Sequence, residues 1–555
     1  MCLRAGGRLV NRFLPWGLLT ALALGFLLIF VGYPVLGVLA RSFIGEGGGF
    51  SLDGFVTFLT KGRYLEALMN TVILGIVVTC TCTVVGVFLA FVVARYEIPF
   101  SNIIMLLPLS VLIIPELISA QSWVMVFGNN GIVTNLFDLI GVRFPRFYGW
   151  FGLIYVMTLT FYVHVFLAAL AALRGVDHSL EEAGQSLGTA PLPTYLRVVF
   201  PTILPAVLSS GLIVFTLAVG NFAISIALAQ RVTLLSVMTY RSFISELGGN
   251  PTMQSTLATV SILLVASVLF FQRRYLARRN YQMVAGRTPP RARLRGWKSV
   301  VVSGLAGIII LLSLLPALVV LVGSFTVSRG PVLYWGQFTL EHYQRIWNFN
   351  LSVIGNSLKF ASLATVLGVI FATLVSYLLI KKRNVMSPAV DYLLLLPLTI
   401  SGTVLGIALA QGFNSGPVVL TGTAILMVLA MMVRRLPFGV RNASSNLHNI
   451  SNSLEEASVS LGVPPMRTLR NVVLPLMAPG IAAAAILTWV TTVAELSASV
   501  VIYQAGQETL PIQIFRLISS DLMARASAFG VINMIIILVP VFIGIKVMKL
   551  RLFSS

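Results

Sequence analysis

The stretch from Ser179 to Pro205, SLEEAGQSLGTAPLPTYLRVVFPTILP, returns from Ser453 to Pro479 as SLEEASVSLGVPPMRTLRNVVLPLMAP, 274 residues further along the chain. Aligned without gaps, the copies share Glu181/Glu455, Glu182/Glu456, Ala183/Ala457, Leu187/Leu461, Gly188/Gly462, Pro191/Pro465 and Pro201/Pro475, among others. A hydrophilic segment repeated at so long a period marks a duplicated domain rather than a solenoid. Each copy reads as helix, turn, helix. Ser179 or Ser453 is placed to cap the first helix, with Glu182 or Glu456 three residues on to close a capping box, and the carboxylates sit where the helix dipole favours them. Gly188 and Gly462 suit left-handed termination, and Pro191 and Pro465 suit the turn or the start of the next helix. Both copies run straight into an apolar span, which puts them on loops between membrane helices.

A chain that is 57% hydrophobic and 10% charged, with mean hydropathy +0.94, is a polytopic membrane protein, since soluble domains carry about a quarter charged residues. The net charge of +21 then belongs to cytoplasmic loops rather than to a nucleic-acid surface. Arg4, Arg8 and Arg12 precede an apolar run over 16–39. A cleaved signal peptide is the competing reading, but the run is long and lacks a small-residue cleavage site, so it is expected to be a retained first span starting in the cytoplasm. Further spans are expected near 68–94, 102–127, 149–173, 203–229 and 254–271, then near 299–324, 355–380, 388–413, 416–433, 476–502 and 527–548. Between the two sets lies a basic linker, 272–298, rich in arginine and without an acidic residue, which marks the cytoplasmic side.

The expected fold class is therefore all-α, about twelve transmembrane helices, with domains at 1–271 and 299–555. Six spans per half give both halves the same orientation, hence a parallel repeat about an axis along the membrane normal, with both termini cytoplasmic. Asn70-Thr71 and Asn356-Ser357 open the second spans, and Leu107-Pro108-Leu109 and Leu396-Pro397-Leu398 lie in the third. Segment 128–148 has room for a short interfacial helix.

The chain has no G-x-x-x-x-G-K-[S/T] phosphate loop, its four histidines are scattered, and Cys2, Cys80 and Cys82 offer neither a disulfide framework nor metal spacing. No catalytic constellation and no metal site emerge. An acidic residue at mid-bilayer costs at least about 2.5 kcal/mol and so faces a cavity or a partner. Glu495, accompanied by Ser497 and Ser499, pairs with Asn221 under the 274-residue offset, and Glu116 follows Pro115 in the third span. For these residues a place on a translocation path stands beside a structural one, such as hydrogen-bonding the backbone of a broken helix. His164 reads as a packing residue, and Lys359 as one that snorkels to the interface.

The repeated segment resembles the cytoplasmic EAA loop of the permease subunits of bacterial ABC importers: Glu182-Ala183-Gly184 with Gly188 and Phe200-Pro201, and Glu456-Ala457-Ser458 with Gly462 and Leu474-Pro475. The third motif position departs from alanine in both copies. The resemblance implies a fused two-half permease of the type I importer fold in the bacterial inner membrane. It implies coupling helices around Glu181, Glu182, Ala183, Gly188 and Pro201, and around Glu455, Glu456, Ala457, Gly462 and Pro475, that dock on two copies of an ATPase subunit. ATP and Mg would be bound by those partners and no cofactor by this chain; a periplasmic or lipid-anchored binding protein would deliver the solute.

A single chain with two permease halves is similar to iron(III), thiamine and 2-aminoethylphosphonate permeases, and the segment Ala494 to Phe515 looks most like the iron(III) and phosphonate branch. Acidic Glu495 and Glu116 favour the cation. A gradient-driven secondary transporter is the alternative of another class; it would transport alone.

Overall fold

The computed structural model describes residues 16–45, 47–97, 105, 107, 108, 110–143, 145–177, 179, 181, 182, 186–245, 250–277, 291–293, 296–329, 332–448 and 450–546. Most of the linker, and Ala183 and Gly184 of the first loop, lie outside them.

The first half contributes α1 (Trp16–Arg41), α2 (Gly62–Arg95), α3 (Glu116–Phe127), α4 (Trp150–Gly175), α5 (Tyr195–Gly220) and α6 (Pro251–Ala277). The second contributes α7 (Trp297–Ser324), α8 (Leu351–Ile380), α9 (Ser387–Thr399 with Gly402–Gly412), α10 (Ala424–His448), α11 (Pro465–Val493) and α12 (Met523–Lys546). Among the described residues nine helices are long and apolar enough to cross a membrane, and the bent pair in α9 makes ten.

The departures from twelve straight spans fall at the third, ninth and tenth positions. The helix α3 starts after Pro115 and has 12 residues, about 18 Å at 1.5 Å per residue, too short to cross. The helix α9 bends by 114° at Ile400–Ser401, where the Ser401 hydroxyl accepts from Val404 N–H at 3.3 Å. Such breaks are tolerated because the segment beyond each is buried in protein rather than exposed to lipid; from Gly402 to Ala410 every residue is buried. The tenth helix starts at Ala424, not 416, and carries Arg434, Arg435 and Arg441 on to His448, so it is amphipathic rather than uniformly apolar.

Within each half the same helices pack together: α2, α4 and α5 in the first, α8, α10 and α11 in the second. Glycine permits the closest approach. A Cβ on Gly86 of α2 would lie 2.8–2.9 Å from Val165 Cβ, Phe166 N and Tyr162 O of α4, so the two backbones meet there, as small residues allow in membranes. The first helix of each half crosses to the other: α1 packs on α9, and α7 on α3 and α4. Gln411 of α9 accepts from Arg41 at 3.3 Å and donates to Gln254 of α6 at 3.3 Å, while Gln121 of α3 donates to Ser527 Oγ of α12 at 2.9 Å. The halves are therefore interlocked in two equivalent ways.

The small sequence echoes have matching roles. Thr71 Oγ1 accepts from Leu235 N–H at 3.0 Å, and Ser357 Oγ from Leu510 N–H at 2.6 Å, each at the start of the second short helix after the fifth span. Segment 128–148 contains a helix, Ile132–Leu139. Among the described residues the named strands are a hairpin, Thr326–Arg329 with Val332–Phe338, and a two-residue parallel pairing of Tyr96–Glu97 with Ala292–Arg293.

Candidate functional site

The two repeated loops share their terminations. Gly188 has φ +79° and Gly462 φ +83°. In the second copy Gly462 N–H bonds Val459 O at 3.0 Å and Val463 N–H bonds Ser458 O at 3.2 Å, the paired bonds of a Schellman ending. The starts differ from expectation. Ser451, not Ser453, caps the helix Asn452–Ser460, its hydroxyl accepting from Ser453 N–H at 3.2 Å. In the first loop Asp177, the equivalent residue, accepts from Ser179 N–H at 3.0 Å. The Ser453–Glu456 capping box does not form, because the helix begins one residue earlier in the sequence than Ser453 and Glu456 points to solvent.

This shift separates the paired carboxylates. Glu181 and Glu455 are buried, while Glu182 and Glu456 are exposed. Arg95, at the end of α2, lies 2.5 Å from Glu181. Glu455 accepts from Tyr377 Oη at 3.1 Å and from Lys382 Nζ at 3.3 Å, with Lys381 Nζ at 4.0 Å, all from the end of α8. Beside the two glycines, Leu187 and Leu461 are each 85% exposed, an apolar residue at the tip of each polar loop.

Trp16 packs on Tyr377 at 5.3 Å between centroids, and Arg293 pairs with Glu97 at 2.5 Å. The start of α1, the ends of α2 and α8, the start of α7 and both loops are thus gathered at one end of the bundle.

From each loop the chain enters its fifth span through the same irregularity. A short helix, Pro191–Thr194 or Pro465–Thr468, is followed by a π turn, Tyr195–Val199 or Leu469–Val473, and then by Pro201 or Pro475. Proline has no N–H and its ring collides with the carbonyl four residues back; a widened turn moves that carbonyl aside. A third π turn, Leu28–Gly32, precedes Pro34 in the same way.

At the far ends of the fifth spans, α5 breaks after Gly220 and α11 after Val493. Asn221 Oδ1 accepts from Ile224 N–H at 2.8 Å and Glu495 Oε1 from Ala498 N–H at 3.0 Å. Asn221 Nδ2 donates to Glu116 Oε2 at 2.6 Å, bringing two of the residues singled out in the sequence together. Glu495 Oε2 instead accepts from Arg434 Nε at 3.0 Å and from an Arg435 guanidinium nitrogen at 2.8 Å. Glu116 lies within electrostatic reach of both arginines and of Glu495. Ser499 is buried, its hydroxyl donating to the carbonyls of Glu495 and Leu496. Ser497 packs on Gly402, where any Cβ would run into it and into the Arg434 guanidinium. The argument that Glu495 and Glu116 favour a cation is corrected here: two arginines balance the two carboxylates, so the cluster carries no net acidity.

Residues 83–281 match the family model for the inner-membrane component of binding-protein-dependent transport systems. A putative 2-aminoethylphosphonate transport system permease protein of Salmonella paratyphi A is 30% identical over 39% of this chain and 82% of its own length. The chain belongs to this family of ABC importer permeases. The permease is also 26% identical to a ferric transport system permease protein of Actinobacillus pleuropneumoniae, over 95% of this chain and 77% of that one. It is 28% identical to a probable ABC transporter permease protein of Sinorhizobium fredii, over 90% and 89%. It is a fused, multi-pass inner-membrane transport component.

Sequence reasoning missed Arg95, Arg434 and Arg435 in the permease. Arg434 and Arg435 directly follow the apolar run expected to end at 433, and so read as its aqueous flank. Only the continuation of α10 by four more turns places them inside the bundle. Arg95 had a usable signal: aligning Asn70 with Asn356 also aligns Arg95 with Lys381, a basic residue at the same place in both halves.

Proposed function

We propose that this permease forms the translocation path of an ATP-driven importer for iron(III), with domains 1–271 and 299–555 joined by the linker 272–298. The observation that carries the reading is the equivalence of the two loops: the same glycine-terminated turn, the same exposed leucine and the same buried glutamate, at one end of the bundle. That end is cytoplasmic, as are both termini. One ATPase subunit docks at each loop, on Leu187 with Glu182 and on Leu461 with Glu456, and binds the ATP and Mg. A periplasmic or lipid-anchored binding protein delivers the solute at the opposite end. Closure of the ATPase pair draws the loops together and, through α5 and α11, moves the breaks at Asn221 and Glu495 and reopens the path. Membrane lipid surrounds the bundle.

Iron(III) is supported by the likeness to the ferric permease over nearly the whole chain. The likeness to the Salmonella relative favours a phosphonate as the second reading. The test is reconstitution with its ATPase and binding protein in proteoliposomes. ATP-dependent uptake of iron(III) supports the first reading, and uptake of 2-aminoethylphosphonate instead replaces it with the second. Uptake by the permease alone, driven by an ion gradient, overturns both.

A further inference from the structure

Two independent alignments converge on one contact. The loops align Glu181 with Glu455, and the second spans, aligned on Asn70 and Asn356, align Arg95 with Lys381. In space each buried glutamate meets the basic end of its own half's second span, Arg95 in one and Lys381 with Lys382 in the other. Side-chain exposures of 3% for both Arg95 and Glu181 show that water does not screen the first pair. The second is reinforced by Tyr377 and by Lys381 Nζ, which also donates to Ile450 O at 2.7 Å and Asn452 Oδ1 at 2.5 Å, next to the cap of the loop helix.

A loop fastened only by its covalent links would pass its displacement to the fourth and fifth spans alone, to the fifth through a π turn. These ion pairs fasten it a second time. We infer that Arg95, and Lys381 with Lys382, are positioning residues for energy coupling: each holds its loop to the second span, so that second and fifth spans move as one body when the loop is displaced. The inference rests on the reading that the loops receive the ATPase.

The test uses the full complex of permease, ATPase and binding protein in proteoliposomes and reads the ATP hydrolysed per solute imported. A purely structural defect lowers hydrolysis and import together and leaves the ratio unchanged. Arg95→Ala and the pair Lys381→Ala, Lys382→Ala should each raise the ratio, by roughly tenfold on the scale of ordinary allosteric couplings. Arg95→Lys, which keeps the charge, should return it most of the way. Exchanging the partners, Arg95→Glu with Glu181→Arg, should import better than Arg95→Glu alone. An unchanged ratio in the alanine variants, or no rescue by lysine, overturns the inference.

Because Arg95→Ala is prone to misfold, Lys382→Ala, at the more exposed pair, is the second measurement, and a proportional fall of both rates there also overturns it. Failure of the underlying reading looks different: a cysteine at Leu187 would not crosslink to the ATPase even in the otherwise wild-type complex.

Discussion

Asn221 and Glu495 occupy equivalent positions 274 residues apart, and each accepts the backbone N–H three residues on, Ile224 at 2.8 Å and Ala498 at 3.0 Å. The same task is done by an amide in one half and a carboxylate in the other, and what surrounds them differs accordingly. Replacing Asn221 by alanine removes a cap, worth about 1 kcal/mol, and deprives Glu116 of its amide donor. Replacing Glu495 by glutamine keeps an oxygen for Ala498 but strips two arginines of their anion. Breaking a buried pair costs about 3–5 kcal/mol, and the lower end applies because the arginine side chains are 20% and 18% exposed. Glu495→Gln should therefore lower the thermal unfolding midpoint of the detergent-solubilised permease more than Asn221→Ala does. The reverse order would mean that the arginines do not restrain the break.

Gly188 and Gly462 have positive φ, yet a Cβ at either meets nothing within 4 Å. The constraint is backbone conformation and not space. A left-handed residue costs an ordinary side chain roughly 1–2 kcal/mol, while asparagine tolerates it. Gly462→Val should weaken ATP-dependent import and retention of the ATPase during purification, and Gly462→Asn should retain most of both. Equal loss in the two variants would point to a partner pressed against the glycine itself.

The duplication, the paired loops, their glycine endings and most of the spans were legible because each is written locally, in apolar run length or in a repeated motif. The third spans were not. A stretch such as 388–413 is apolar throughout, and hydropathy does not register that Ser401 turns the chain by 114°. The polar cluster was half legible: Asn221, Glu495 and Glu116 stood out as costly residues in apolar surroundings, whereas Arg434 and Arg435 were hidden by their place at the end of a run. The division of labour between Glu181 and Glu182 was not legible, since it depends on the helix starting after Ser451 and hence on which carboxylate faces α8 or α2.

Packing of α2 on α4 depends on Gly86. Its missing Cβ would stand 2.8–2.9 Å from Val165 Cβ, Phe166 N and Tyr162 O, two of them backbone atoms that cannot swing away. Gly86→Leu forces the helices apart and should cost about 1–3 kcal/mol or more, read as a lower unfolding midpoint and a smaller monodisperse fraction on size-exclusion chromatography. Gly304 of α7 has nothing within 4 Å of the same construction, so Gly304→Leu should leave both readouts unchanged. A comparable loss in the two variants would assign the effect to membrane insertion instead of packing.

The π turns before Pro201 and Pro475 occur at the same place in both halves, between the loop and the span it joins. Phe200 N–H reaches Tyr195 O and Leu474 N–H reaches Leu469 O, five residues back, so each turn holds one residue more than an α-helix would. The prolines sustain it. Alanine at 201 or 475 restores an N–H that can bond the carbonyl of Arg197 or Asn471 and removes the ring that kept it away. Reversion to regular helix gains about 1 kcal/mol per hydrogen bond but rotates the loop relative to its span by roughly 100°, the turn of one residue. Pro201→Ala combined with Pro475→Ala should therefore leave the permease as heat-stable as the wild type or more so, while ATP-dependent uptake falls. Lower stability with uptake falling in step would make the prolines ordinary packing residues, and unchanged uptake would show that loop and span need no such joint.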